Sequence, residues 1–135
     1  MDYSSAFVAM QSYFNTYWND ETVIVWGDDD NKSIPSNAPW VRFNIRHADG
    51  FQATTGAPTS NRFERIGIIT VQIFTKQGDR QVTSRTLADN ALKAYEGVLQ
   101  SDILYFGATV REIGNDGRGW HQTNVITSFR YSEIT

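Results

Sequence analysis

The chain has 135 residues and a formal net charge of −3, from 12 Lys and Arg against 15 Asp and Glu. This length suits one domain with one hydrophobic core, and 40% hydrophobic with 13% aromatic residues indicates a folded chain. Weak acidity does not suit tight nucleic-acid binding, which requires a basic surface. The absence of cysteine excludes disulfides, thiolate nucleophiles and zinc sites that need sulfur. Since no apolar run approaches ~20 residues, we expect no membrane span.

A helix is predicted near the start of the chain, over residues 4–18. Asp2 or Ser4 can cap its first turn, because short polar side chains accept hydrogen bonds from free backbone N–H groups there. The predicted buried stripe repeats at helical spacing and consists of Phe7, Met10, Phe14 and Tyr17.

Three strands and a long loop are predicted next. The first strand, Val23–Trp26, stops at a turn rich in Gly and Asp. The second, Trp40–His47, alternates between apolar and polar side chains, as a strand with two different faces does. Residues 48–62 are mostly small and polar and predict a long loop, which in compact domains is usually functional or mobile.

The third predicted strand, residues 63–75, is unusually long. At ~3.3 Å per residue it would span about 40 Å, against a usual ~17–20 Å. We predict a bulge or bend at Gly67, because glycine inside a strand often marks one. Both faces of the strand carry apolar residues, so we expect one face to cover the core and the other to meet a helix or a second subunit.

The last third of the chain predicts a helix and a hairpin. The helix covers about residues 80–99, with Asp79 at its N-cap and Arg85, Asp89 and Lys93 along a polar face. Its predicted buried stripe is Ala88, Ala91, Leu92, Tyr95, Val98 and Leu99. Strands over residues 109–113 and 120–132 then flank a glycine-rich turn. The whole is an α+β fold of one domain (residues 1–135), with two main helices on a mostly antiparallel, twisted sheet in the order α-β-β-β-α-β-β.

Residues Asp28, Asp29 and Asp30 form the most acidic run of the sequence. A calcium loop would need glycine at its sixth position and glutamate at its twelfth, where Ser33 and Pro39 stand here. The run is therefore interpreted as a solvated acidic turn. The functional alternative is an acidic rim or lumen that repels DNA phosphates or contacts a basic partner.

No set of residues predicts catalysis, a metal ion or a cofactor. His47 and His121 are the only histidines, and neither has a second ligand at metal-binding spacing. The sequence lacks the Gly-x-Ser-x-Gly nucleophile motif and the Gly-Lys-Ser/Thr phosphate loop. We therefore expect the protein not to be an enzyme and to carry no cofactor.

Aromatic and arginine residues share one face of the second strand, where Trp40, Arg42 and Arg46 alternate with apolar residues. Such residues can stack on bases, but they are also enriched in protein interfaces, and the acidic total favours a protein interface or a face covered by a helix over nucleic acid. The full predicted interface comprises Trp40, Arg42, Arg46, Thr54, Thr55, Arg62, Ile66 and Ile68.

Several short motifs occur in an order that is similar to a known family. They are Arg65-Ile66-Gly67, Val71-Gln72-Ile73, Gly78, Leu87-Ala88-Asp89, and Trp120 after a glycine-rich turn. The chain resembles the tail terminator (tail completion) proteins of long-tailed bacteriophages. The similarity runs across most of the chain at the level of element order.

This resemblance implies a structural virion protein that assembles in the host cytoplasm as a ring, typically a homohexamer, at the head–tail junction. The ring would cap the tail tube, end its polymerisation and contact the head–tail connector, while duplex DNA passes through without specific binding. Two alternatives stay open. One is another neck or head–tail joining protein. The other is a small α+β ligand-binding or enzymatic domain, with His47 and Tyr95 lining a pocket between sheet and helix.

Overall fold

A computed structural model describes residues 1–27, 34–35, 37–48, 50–78 and 81–135. These residues form two helices and seven strands, which confirms the predicted α+β class. In chain order they are α1 (Tyr3–Trp18), β1 (Val23–Trp26), β2 (Trp40–His47), β3 (Phe51–Gln52), β4 (Arg62–Lys76), α2 (Val82–Tyr95), β5 (Leu99–Gln100), β6 (Ile103–Asn115) and β7 (Trp120–Ile134). The short strands β3 and β5 were not predicted.

All seven strands belong to one curled sheet with the order β1-β2-β4-β7-β6-β5, and β3 pairs with β4 beyond the end of β2. The strands β1 and β2 are parallel, and every other described pair is antiparallel. The central pair is β4 and β7, which face each other over 15 residues without a register shift. Because this pair is long and unbroken, it fixes which side chains share a face.

Both helices pack on the same side of the sheet, which we call the core face. Its strand residues alternate with period two and include Val71, Ile73, Val125 and Phe129, all at most 1% exposed. Helix α2 contributes Leu87, Ala88, Ala91, Ala94 and Tyr95. The single core therefore lies between one face of the sheet and the two helices.

Helix α1 begins as predicted, because the Asp2 carboxylate accepts a hydrogen bond of 2.8 Å from the Ser5 N–H. Its predicted buried stripe is half wrong, since Phe7 and Tyr17 are 37% and 41% exposed. Its buried residues instead recur every four positions, at Ala6, Met10, Phe14 and Trp18. The rings of Phe14 and Trp18 stack at 5.2 Å, which places Trp18 rather than Tyr17 in the core.

Helix α2 is shorter than predicted. It ends at Tyr95, and Gly97 takes a left-handed conformation (φ +67°) that turns the chain out of the helix. Leu99, predicted as buried, belongs to β5 and is 69% exposed. The predicted N-cap, Asp79, lies outside the described residues; the described helix has Gln81 at its N-cap.

Gly67 makes no bulge, so this prediction is wrong. Strand β4 pairs through it with His47 and Phe129 in unbroken register, and the register shifts of the sheet occur in β6. A Cβ at Gly67 would lie 2.4 Å from both the Arg46 carbonyl oxygen and the Phe129 Cζ. Glycine is needed here because neighbouring atoms approach its Cα too closely for any side chain.

The segment predicted as a long loop is partly a strand. Its beginning forms β3, whose Phe51 and Gln52 pair with Glu64 and Phe63 on the free edge of β4. The Arg62 N–H then donates a 2.8 Å hydrogen bond to Thr54 Oγ1, which closes the segment near its end. Residues 54–60 are exposed and remain the true loop.

Candidate subunit interface

The side of the sheet opposite the helices is largely open to solvent, and we call it the open face. It is formed by the even-numbered residues of β2, β4 and β7 and by their cross-strand partners on β6. One row across it pairs Arg46 with Ile68, Ile68 with Ser128, and Ser128 with Phe106. Antiparallel sheets commonly keep one face solvated, so exposure alone assigns no function to this surface.

Apolar side chains cluster on the open face in a band that crosses β4, β7 and β6. Ile68, Leu104 and Phe106 are 39%, 45% and 42% exposed. We call the band the apolar strip, and its members are Ile66, Ile68, Leu104, Phe106 and Ile126. Single exposed apolar residues are normal, but a contiguous group rimmed by polar residues is typical of an interaction site.

Positive charge surrounds the apolar strip. The strand residues of the open face include one carboxylate, Glu64, and six cations, which are Arg42, Arg46, Arg62, Lys76, Arg111 and Arg130. Within the described part of the chain, Arg42, Arg46 and Arg111 form no ion pair. Their charges are therefore available to a partner.

Glu64 is the buried anchor at one end of this face, with 5% of its surface exposed. Arg130 Nε lies 3.1 Å from its Oε2, Arg62 Nε lies 3.2 Å from its Oε1, and Ser132 Oγ donates to Oε1 at 2.9 Å. Burial by itself would raise the pKa of Glu64, but the hydrogen bonds and positive charges outweigh it and hold the pKa below its usual value. The carboxylate thus orders two of the six cations.

The structure brings together four of the residues predicted as an interface. Arg42, Arg46, Ile66 and Ile68 all lie on the open face, with Arg46 directly opposite Ile68. Arg62 lies at one end of this face, beside Glu64. The loop residues Thr54 and Thr55 are exposed, and the acidic run at residues 28–30 is outside the described residues.

Trp40 departs from the prediction of an exposed contact residue. It lies on the open face, but it is only 5% exposed. Its ring stacks on Phe74, the opposite residue of β4, at 4.1 Å, and meets Trp120 edge-on at 6.2 Å. Trp40 therefore belongs to a small second hydrophobic cluster that also contains Val25.

The sequence reasoning missed the β6 and β7 half of the open face. Leu104 and Phe106 were left outside any predicted element, because the strand was predicted to begin only at residue 109. The signal that indicates a strand is the run of four apolar and aromatic residues, Ile103-Leu104-Tyr105-Phe106, whereas their alternate burial is visible only in the structure. Arg130 lies on the face of β7 opposite the buried residues, where the sequence predicts no site.

The residues of the ligand-binding alternative lie in two separate aromatic groups. His47 Nε2 is 2.7 Å from Tyr131 Oη, and the His47 ring contacts Tyr3 and Phe129. Burial, helped by the charge of Arg65, lowers the pKa of His47. Tyr95 instead packs against the rings of Tyr13, Phe14 and Tyr105. Burial raises the pKa of Tyr95, with smaller contributions from Tyr105 and Tyr13.

A cleft also runs between α2 and β6. Ala88, Val110 and Thr123 line it together with Asp89, and Arg85 Nη1 crosses it to Glu112 Oε1 at 2.8 Å. The described residues contain no group of three or more His, Cys, Asp or Glu positioned to hold a metal ion. No helix among them is long and apolar enough to cross a membrane.

Comparisons with known proteins support the fold alone. No family model matches the chain, and no curated protein matches it. Nineteen chains of solved structures do match. One of them, identified only by a sequence number, aligns over 94% of this chain and 95% of its own, with a TM-score of 0.64 and 11% identical residues. At this identity the likeness establishes a shared architecture and carries no activity.

Proposed function

We propose that this protein is a structural component of the head–tail junction of a long-tailed bacteriophage. In this role its copies form a ring, typically a hexamer, that caps the tail tube, ends tube polymerisation and joins the tube to the head connector. The observation that carries the proposal is the open face, where an apolar strip lies beside three arginines that form no ion pair with any residue that the structure describes. The proposed location at the head–tail junction comes from the resemblance in element order to tail terminator proteins.

Ring formation has a physical requirement that this surface helps to meet. A ring is built from heterologous contacts, in which each copy uses two different surfaces. The core face of the sheet is already occupied by α1 and α2, so the open face is the part of the sheet that remains for a partner. Its apolar strip provides area to bury, and burial of apolar area stabilises association.

The charge of the open face limits how a ring can be oriented around DNA. Six cations turned into a lumen would bind phosphates and retain the duplex by counterion release. A tube that lets DNA pass needs a lining that does not grip it. The proposal therefore turns the open face towards protein, either another copy, the tail tube protein or the connector.

Deletion of the gene from the phage genome that carries it tests the proposed function. A tail terminator is expected to leave tails of uncontrolled length without heads, because nothing ends tube polymerisation. A neighbouring neck protein would instead leave tails of normal length that fail to join heads. Complementation with the intact gene is the control, and electron microscopy gives tail length and attachment.

Labelling of intact particles gives the independent readout. Antibody or gold label on the protein should appear at one place per virion, between head and tail. Normal particles after deletion, or label absent from the virion, would overturn the proposal. A stable monomer that binds a small molecule in its interior would then favour the ligand-binding alternative.

A further inference from the structure

We infer that the open face of one copy docks on the helical side of the next copy, by complementary charge and apolar contact. The helical side is defined as the outward surface of α1 and α2 together with the residues that end these helices. This inference rests on the proposed function and deepens it, because it names the surfaces that meet in the ring.

Charge is separated across the domain much more strongly than the net value of −3 indicates. The described strand residues of the open face comprise six cations and one carboxylate, a total of +5. Because the chain carries −3 overall, all its other residues together carry −8. The described strands of this acidic protein are thus basic on the open face.

The helical side carries much of this acidity. In the described part of the chain it includes Arg85 and Lys93 as cations and five carboxylates, which are Asp2, Asp20, Glu21, Asp89 and Glu96. Arg85 is paired with Glu112 of β6 at 2.8 Å, and none of the five carboxylates has an ion pair among the described residues. Glu21 lies at the cleft between the end of α1 and Asn90 of α2, and Asp89 lies on the side of α2 that faces β6.

The helical side also presents apolar residues. Four large side chains of α1 are between 37% and 59% exposed; they are Tyr3, Phe7, Val8 and Tyr17. Like the apolar strip on the open face, they are large apolar or aromatic side chains that are partly exposed. Phe7 and Tyr17, which the core leaves partly exposed, can be buried against a second copy.

Complementarity between opposite sides of one domain selects head-to-tail contact. If two open faces met each other, twelve cations would share one interface, and like charges brought together disfavour association. Head-to-tail contact instead pairs each basic face with an acidic one and closes into a ring when the rotation between copies allows. The apolar residues contribute affinity, while the charges fix orientation and partner choice.

Two double variants of the full chain test the inference. Arg46→Glu with Arg111→Glu lowers the charge of the open face from +5 to +1 and leaves the Glu64 cluster intact. Glu21→Lys with Asp89→Lys reverses charge on the helical side. Arg118→Glu, at an exposed position in the turn between β6 and β7, is the control outside both surfaces. Sedimentation velocity measures assembly, and circular dichroism verifies that each variant is folded.

The wild-type protein should form oligomers near 0.1 M salt, and these should weaken towards ~1 M salt, where the Debye length falls from ~10 Å to ~3 Å. Each double variant should weaken association by about tenfold or more, while Arg118→Glu should not. An equimolar mixture of the two double variants should regain association, because the unaltered open face of one variant can meet the unaltered helical side of the other at every second contact. At the remaining contacts the introduced carboxylates of one variant face the introduced lysines of the other. If a double variant fails to fold, Arg46→Gln with Arg111→Gln tests the same surface with a smaller change.

The results separate this inference from the proposed function. If the wild type assembles and the double variants assemble equally well, the inference is wrong while ring formation stands. A mixture that does not recover also refutes it, because recovery requires the two named surfaces to meet. A wild-type protein that stays monomeric at low salt overturns docking between copies, and labelling of virions then decides the proposed function on its own.

Discussion

Substitution of alanine for Gly67 should strongly destabilise the sheet at its centre. The new Cβ would lie 2.4 Å from the Arg46 carbonyl oxygen on one side and 2.4 Å from the Phe129 Cζ on the other. Ordinary contacts of this kind begin near 3.4 Å, so each neighbour would have to retreat by about 1 Å. The ring of Phe129 cannot do so cheaply, because it is fully buried and stacked against Tyr131.

The cost follows from two separate strains. Forcing a methyl group against a packed ring costs about 1–3 kcal/mol. Displacing the β2 backbone at Arg46 also weakens its ladder hydrogen bonds with β4, at about 1 kcal/mol for each bond lost. We expect a total of roughly 3 kcal/mol, a large fraction of the ~5–15 kcal/mol that stabilises a typical domain. For a chain of this size the melting temperature should fall by about 10 °C.

Thermal and urea unfolding of the purified protein measure this loss. Gly56→Ala is the matched control, because its nearest contact is the Asn61 side-chain oxygen at 3.4 Å and its loop is exposed. That control should change stability by less than about 0.5 kcal/mol. Combining Gly67→Ala with Phe129→Leu should cost less than the sum of the two single changes, since the smaller side chain relieves one of the contacts.

A melting temperature for Gly67→Ala within experimental error of the wild type would refute the close-approach explanation. It would mean that β2 and β4 can separate without cost, as they would around a bulge. Strict additivity in the double variant would locate the strain entirely at the Arg46 carbonyl. It would contradict the contact with Phe129 as a source of cost.

Three further predictions concern buried polar and aromatic groups. Glu64→Gln should lower the free energy of unfolding by about 1–2 kcal/mol at neutral pH. Since the pKa of Glu64 is depressed in the folded state, the wild type should lose this advantage as the pH falls through that lower pKa. A difference in melting temperature that stays unchanged at acid pH would contradict the ion cluster. Tyr95→Phe should be neutral or stabilising by up to about 1 kcal/mol, because Tyr95 Oη is buried without a partner among the described residues. Tyr13→Phe should instead lose about 1 kcal/mol, because it removes the hydrogen bond to the Ala94 carbonyl oxygen. Equal effects of the two variants in urea unfolding would refute this difference in hydrogen bonding. Trp40→Ala should lower the free energy of unfolding measured by calorimetry by about 3 kcal/mol, because the buried ring stacks on Phe74. A near-neutral result would mean that Trp40 is exposed in solution.

Local pattern was enough to predict most of the elements. Alternation in Trp40–His47 and in residues 63–75 predicted β2 and the body of β4, and the spacing of apolar residues predicted both helices to within a few residues at most ends. These signals are strong because a strand repeats every two residues and a helix about every 3.6. Short strands such as β3 and β5 have only two residues each, too few for any period to appear.

The prediction of the interface depended on the same parity. Arg42 and Arg46 share a strand face by alternation, and Ile66 and Ile68 share one on the long strand. Neither strand sequence alone indicates that the face with the arginines and the face with the isoleucines lie on the same side of one sheet. That fact comes from the antiparallel pairing of β2 with β4, which places Arg46 opposite Ile68.

Composition, periodicity and turn residues determined the α+β class, the two helices and the face on which each strand residue lies, because those properties depend on neighbours in the chain. Tertiary packing decided the rest. It buried Trp18 and left Tyr17 partly exposed, and it required glycine at position 67 for close approach rather than for a bulge. It also gathered cations from four strands onto one face of an acidic protein, a separation of charge that no local stretch of sequence displays.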